Sequence, residues 1–280
     1  MQHVKSTFTG VGDLELYAQA WVPENPPRAV VTLVHGVGEH SGRYMNLVRP
    51  LVEQGYAVYS FDQRGHGASP GRRVHIDRWT EYRDDLAAFL ATVSAKQPGC
   101  PVIIYGHSMG SLVVLDYLLQ KPSGLSGAII SGAALQPAGV GSPAIIAMAR
   151  VLTHVTPQLA ISLGISAEHL ARDPEALAAY RSDPLVTGKA TVRWGTESLD
   201  TVERIKAGMS DIDIPLLVVH GEADHLNLVA GARALFDAVP SADKTIRVYP
   251  GVYHEPHNDL GHEQLAADVS EWLGHRSQGA

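Results

Sequence analysis

Short runs of Val, Ile and Leu recur along this chain, each followed by a longer amphipathic stretch, and that alternation constrains the fold more than any other feature. The runs are "AVVTLVH" (29–35), "AVYSFD" (57–62), "PVIIYGH" (101–107), "GAIISG" (127–132), "PLLVVHG" (215–221) and "KTIRVYPG" (244–251). A strand covered by helices on both faces needs no polar side, so it reads as a continuous apolar run. Strands alternating with crossover helices predict a mostly parallel central sheet with helices on both faces, an α/β fold. The helical pattern from Tyr44 to Gln54, closed by Gly55, is one such crossover. The stretch before residue 25, "STFTGVGDLELYAQAWVPE", fits an antiparallel hairpin at the sheet edge.

The rhythm fails between Gln136 and Asp211, where helical patterns surround "ARDPEALAAYRSDPLV" and no strand is evident. That excursion is too long for a loop. It predicts a helical cap, residues 136–211, inserted into a core made of residues 1–135 and 212–280. A cap there would cover the carboxyl ends of the strands, where open α/β sheets bind ligands. Within it, "PAIIAMARVLTHVTPQLAISLG" from Pro143 to Gly164 is interrupted by Arg150, His154 and Pro157. A membrane span wants roughly 20 predominantly apolar residues, so this segment fits a covering helix instead. Peripheral contact of the cap with a lipid surface stays open.

Acidic residues outnumber Lys and Arg by 29 to 22, and no basic run occurs, so nucleic acid is not an expected partner. The lone Cys100 cannot form an internal disulfide. The opening "MQHVKSTFTG" lacks the apolar core of a secretory signal, which favours a cytoplasmic protein.

The third apolar run leads directly into "GHSMG", a G-x-S-x-G pattern centred on Ser108, and then into "MGSLVVLDYLLQ", which places Leu112, Leu115 and Leu119 on one helix face. Strand, tight turn and helix are the setting of a nucleophile elbow. Serine is a poor nucleophile at its free pKa and needs a histidine base oriented by a carboxylate. His254, in "VYPGVYHEPHND", follows the last strand, and Asp224, in "VVHGEADHLN", follows the one before it. The order Ser108, Asp224, His254 matches that expected of an α/β-hydrolase. Simpler readings compete: Asp224 as the cap of a helix starting near Asn227, and His225 or His257 in place of His254.

Acyl transfer also needs two N–H groups facing the developing oxyanion. Met109 supplies one at the helix start, and Val37, in "LVHGVGEHSGRY", is placed to supply the other. A dinucleotide reading of "HGVGEH" fails because Ser41 stands where G-x-G-x-x-G requires glycine. The spacing of His220, Asp224, His225, His254 and His257 matches no standard zinc motif, so no metal is expected.

With these residues in view the chain resembles the monoacylglycerol lipase family of serine hydrolases, from about Phe8 to Trp272. "HGVGEHSGRY" resembles the family's oxyanion loop, "FDQRGHGAS" its next strand end, "GHSMG" its elbow, "YRSDPLV" a cap motif and "YPGVYHEPHND" the segment around the base. The resemblance implies an α/β-hydrolase fold and a Ser108, Asp224, His254 triad with Val37 and Met109 as oxyanion donors. It also implies a polar pocket for the glycerol head group at Glu39, Arg43, Tyr180 and His257. A local ion pair stiffening the loop is the competing account of Glu39 and Arg43. The family usually carries a second glycine after its elbow, where Ser111 stands here.

The expected chemistry is ester hydrolysis through a Ser108 acyl-enzyme with no cofactor, on a small acyl ester, and the resemblance implies a monoacylglycerol as that ester, cleaved to a fatty acid and glycerol. A broad carboxylesterase and a lysophospholipase are the nearest alternatives. A ligand-binding receptor on a hydrolase scaffold is the alternative from another class.

Overall fold

The computed structural model describes residues 1–139 and 142–276. The chain opens with β1 (Gln2–Thr9) and β2 (Glu15–Val22), an antiparallel hairpin. It continues through β3 (Val30–Val34), α1 (Met45–Glu53), β4 (Ala57–Phe61), α2 (Thr80–Lys96), β5 (Val102–His107), α3 (Met109–Leu118) and β6 (Gly127–Ser131). There it leaves the sheet for α4 (Pro143–Val155), β7 (Ala160–Ser162), α5 (Pro174–Ser182), β8 (Lys189–Thr191) and α6 (Val192–Gly208). It returns as β9 (Leu216–Gly221), α7 (Val229–Ala238), β10 (Lys244–Tyr249) and α8 (His262–Gly274).

Eight strands form one sheet in the order β1-β2-β4-β3-β5-β6-β9-β10. Strand β2 is antiparallel to both its neighbours, and every other pair is parallel. The apolar runs are these parallel strands, and the period of two explains why β3, β4, β5, β6 and β9, buried at every residue, are apolar on both faces, whereas the edge strand β10 has no buried residue and carries Lys244, Thr245 and Arg247. In β5, Val102 and Ile104 join a layer with Phe89, Val113, Val114 and Leu118. The intervening Ile103 and Tyr105 join Leu47, Leu51, Val269 and Trp272 on the other face. Burying such a side chain contributes roughly 1.5–3 kcal/mol, so a polar residue at either register would be costly.

Helix α3 differs from the single apolar face expected of Leu112, Leu115 and Leu119. Its residues from Met109 to Asp116 are all buried, because it lies against β5 and also packs on α2 and α6. The excursion between β6 and β9 also corrects an expectation, since β7 and β8 pair there as a short antiparallel hairpin. All three residues of β7 are exposed, so it carries none of the burial pattern that betrays a strand. Helix α6 joins this region to the core, with Val202 and Ile205 packed into the layer beneath α3.

Candidate active site

The strand ends converge where β5 turns into α3. Ser108 occupies that turn with φ 52 and ψ −120, a left-handed backbone that a residue with a Cβ adopts only under strain. Two glycines make the turn possible. A Cβ on Gly110 would stand 2.2 Å from the carbonyl oxygen of Val34, and one on Gly106 would stand 2.5 Å from that of Gly110. The Ser108 N–H donates to Ser131 O at 3.0 Å, which ties the turn to β6.

Three side chains from separate loops meet here. The Ser108 hydroxyl lies 2.9 Å from His254 Nε2, and His254 Nδ1 lies 2.8 Å from Asp224 Oδ2. The carboxylate accepts the Nδ1 proton, which leaves Nε2 free to accept the serine proton. Asp224 Oδ1 accepts the N–H groups of Leu226 at 2.8 Å and Asn227 at 2.9 Å, while His220 Nε2 lies 3.2 Å from Oδ2. Asp224 does not cap the following helix, since α7 begins at Val229 with Leu228 at its N-cap.

Burial opposes charge on Asp224, but the adjoining His254 and the bonds from His220 and Asn227 outweigh it and hold the carboxyl well below its usual range. Burial also opposes a charged His254, yet the Asp224 carboxylate more than compensates and raises the imidazole above its ordinary 6.5. The pair is thus a stabilised imidazolium site beside a hydroxyl.

Ser108 and His254 line a cavity of about 340 Å³, within the range of small-molecule sites, with Asp224 buried behind them. Val37 and Met109 line it next to Ser108. Met109 is the first residue of α3, so its N–H has no partner within the helix. Glu39, Arg43, Tyr180 and Glu255 form a polar cluster in the wall, and Ile146, Leu163, Val192, Leu199 and Leu226 are among its apolar lining.

The polar cluster is a single ionic network. Arg43 Nη1 and Nη2 each lie 2.8 Å from one oxygen of Glu255, and Nη1 lies 2.6 Å from Glu39 Oε2. The other oxygen of Glu39 accepts the Gly36 N–H and the Tyr44 hydroxyl, both at 2.6 Å. The ring of Tyr180 stacks on the guanidinium, 4.8 Å from its centroid. Burial disfavours the Arg43 charge, and the Glu255 and Glu39 carboxylates reverse this, raising its pKa. Likewise burial would raise Glu255, but Arg43 pulls it far below the ordinary range. The loop-stiffening pair of Glu39 and Arg43 therefore exists and at the same time forms cavity wall.

His257 does not join the other head-group candidates on the cavity wall. It is fully buried behind it, stacked on Tyr44 at 4.3 Å and edge-on to His107 at 4.7 Å. His225 is turned outward against Tyr253 and His169. Ser111 also lies outside the wall, fully buried beneath the elbow. Glu255 was not singled out in the sequence, and His220 was weighed there only as a metal ligand and not as a partner of Asp224. The first stands beside His254 in "YHEPHND", and the second lies near the end of the strand that leads to Asp224, so position relative to His254 and Asp224 was the available signal. Among the described residues, no three His, Cys, Asp or Glu side chains converge on a point that could hold a metal ion.

A parallel sheet, an inserted cap and a hydroxyl relayed through imidazole to a carboxylate at the strand ends define the serine hydrolases of α/β-hydrolase fold. Comparison with known proteins narrows the class. Residues 25–261 match a family model described as serine aminopeptidase, S33. The chain is 36% identical over 268 residues to the monoacylglycerol lipase of Mycolicibacterium smegmatis, covering 95% of each. It is 31% identical over 271 residues to the human monoglyceride lipase, covering 94% of this chain and 88% of that one. Among solved structures, the monoacylglycerol lipase of Paleococcus ferrophilus superposes with a TM-score of 0.86 at 34% identity, over 94% of this chain and 100% of the other. The chain belongs to the S33, monoacylglycerol lipase family of α/β-hydrolases and is a serine-type carboxylic-ester hydrolase.

Proposed function

We propose that Ser108 is the nucleophile, His254 the general base and Asp224 its orienting carboxylate in the hydrolysis of monoacylglycerols to fatty acid and glycerol. The observation that carries this reading is the relay of 2.9 and 2.8 Å from Ser108 through His254 to Asp224, opening on a cavity lined by a polar cluster and by many apolar side chains. Ser108 attacks the ester carbonyl as His254 takes its proton. The N–H groups of Val37 and Met109 stabilise the tetrahedral oxyanion, a contribution of roughly 3–4 kcal/mol for each such donor. His254 then protonates the departing glycerol, and water repeats the cycle on the acyl-enzyme. Every proton moves between groups of the protein, substrate and water, so the scheme needs no cofactor.

In this reading Glu39, Arg43 and Tyr180 meet the glycerol hydroxyls, and the apolar lining takes the acyl chain at about 0.8 kcal/mol per buried CH₂. His257 has no place in it except as support for Tyr44. Residues 136–211 act as the cap on a core of residues 1–135 and 212–280. The cap touches a lipid surface from the cytoplasmic side, a role supported by exposed Ile145, Met148, Val151 and Val155 on α4, 54% to 72% accessible. No helix among the described residues is long and apolar enough to cross a membrane.

The test is a panel of mono-, di- and triacylglycerols and aryl esters, run beside Ser108→Ala and a fluorophosphonate label. Monoacylglycerols should be preferred, and hydrolysis and labelling should both vanish in the variant. Preference for triacylglycerols, or activity surviving Ser108→Ala, would overturn the proposal.

A further inference from the structure

Ser111 is the third residue of α3 and is fully buried. Its hydroxyl donates to the carbonyl oxygen of Ser108 at 2.5 Å and accepts the N–H of Ala134 at 3.1 Å. Its own N–H donates to the same Ser108 carbonyl at 2.9 Å. A helical serine bonding back by one turn is common and carries nothing by itself. Here, however, the carbonyl that receives both bonds belongs to the peptide unit whose opposite end is the N–H of Met109. A peptide is planar, so fixing its oxygen fixes the direction of its N–H. Bonds in a chain also polarise one another, so donation to the oxygen makes that N–H a stronger donor.

We infer that Ser111 is a positioning residue for the oxyanion. A chain of hydrogen bonds runs from Ala134 N–H through the Ser111 hydroxyl to the Ser108–Met109 peptide, and it aims and strengthens the Met109 N–H. The inference rests on Ser108 being the nucleophile and Met109 an oxyanion donor. The sequence carried its signal in a departure: serine stands where the family the chain resembles usually has glycine, a residue with no hydroxyl to offer.

The experiment compares wild type, Ser111→Gly and Ser111→Ala on monooleoylglycerol. Glycine is the residue usual at this place in the family, so that variant should fold, and thermal unfolding of both variants checks it. An oxyanion donor contributes about 10²–10³ in kcat, and polarisation strengthens a bond by roughly 10–30%, so kcat should fall about two- to eightfold. KM should stay unchanged, because the interaction is made in the transition state. Affinity for a trifluoromethyl ketone, which forms a hemiketal oxyanion on serine, should fall by the same factor, and affinity for oleic acid should not change. Unchanged kcat and ketone affinity in both variants, or a raised KM at unchanged kcat, would overturn the inference. Ser108→Ala is run alongside. If it still hydrolyses the ester, the nucleophile reading falls and this inference with it. If Ser108→Ala is inactive while the Ser111 variants match wild type, only the role of Ser111 is refuted.

Discussion

Replacing His257 with phenylalanine should remove a measurable part of the protein's sensitivity to acid. His257 is fully buried against Tyr44, and neither ring nitrogen has a hydrogen-bond partner among the described residues. Burial, reinforced by the nearby His107, pushes its pKa down from 6.5 to about 3. In the unfolded chain the same group titrates near its ordinary value of about 6.5. The folded state thus binds this proton less readily than the unfolded state. Nothing is lost above pH 6.5, and stability falls by about 1.4 kcal/mol per pH unit below it until the folded group titrates as well. At pH 5 the loss through this one residue is about 2 kcal/mol. Phenylalanine keeps a ring against Tyr44 but has nothing to protonate. Urea unfolding at pH 7 and pH 5 should therefore show wild type losing about 2 kcal/mol more than His257→Phe. Parallel losses would mean that His257 is charged or partnered in the folded protein, and would refute the reasoning.

Asp224→Asn should lower kcat by about 10⁴-fold, since the imidazole loses the group that holds its tautomer. The base acts when neutral and Asp224 raises its pKa, so the residual activity of that variant should extend to lower pH than wild type, read from kcat/KM against pH. Gly110→Ala should destabilise the fold by about 3 kcal/mol or more, because the new Cβ meets backbone oxygens of Val34 and His35 that cannot move independently of the sheet; thermal unfolding or loss of soluble protein reports it. Val151→Asp with Val155→Asp on the exposed face of α4 should weaken sedimentation with zwitterionic vesicles and leave hydrolysis of a soluble aryl ester unchanged. Equal vesicle binding would remove α4 from the lipid contact.

The inner parallel strands were legible because burial on both faces leaves a signature one strand long, and the partly exposed edge strand β10 keeps only part of it in Ile246 and Val248. The same logic explains why β7 and β8 were not: three-residue strands, with β7 wholly exposed, follow from tertiary position and not from any local pattern. Ser108, Asp224 and His254 could be read because their place is fixed relative to strand ends, which the apolar runs mark. The partners of Arg43 could be read only in half. Glu39 is four residues away, one helical turn of spacing, whereas Glu255 reaches it across 212 positions. His257 shows the converse, for a polar residue three positions from His254 points into the core once the loop has turned.

The double fork of Arg43 onto Glu255 carries a consequence for when the protein becomes competent during its own synthesis. Glu255 and the neighbouring His254 follow β10, and Asp224 follows β9, so a nascent chain that has completed the elbow still lacks His254, Asp224 and the second anion. Of the two carboxylates that hold the guanidinium, such a chain contains only Glu39, and it lacks His254, the proposed acceptor of the Ser108 proton. The proposed relay is therefore complete only once the segments that follow both β9 and β10 have docked.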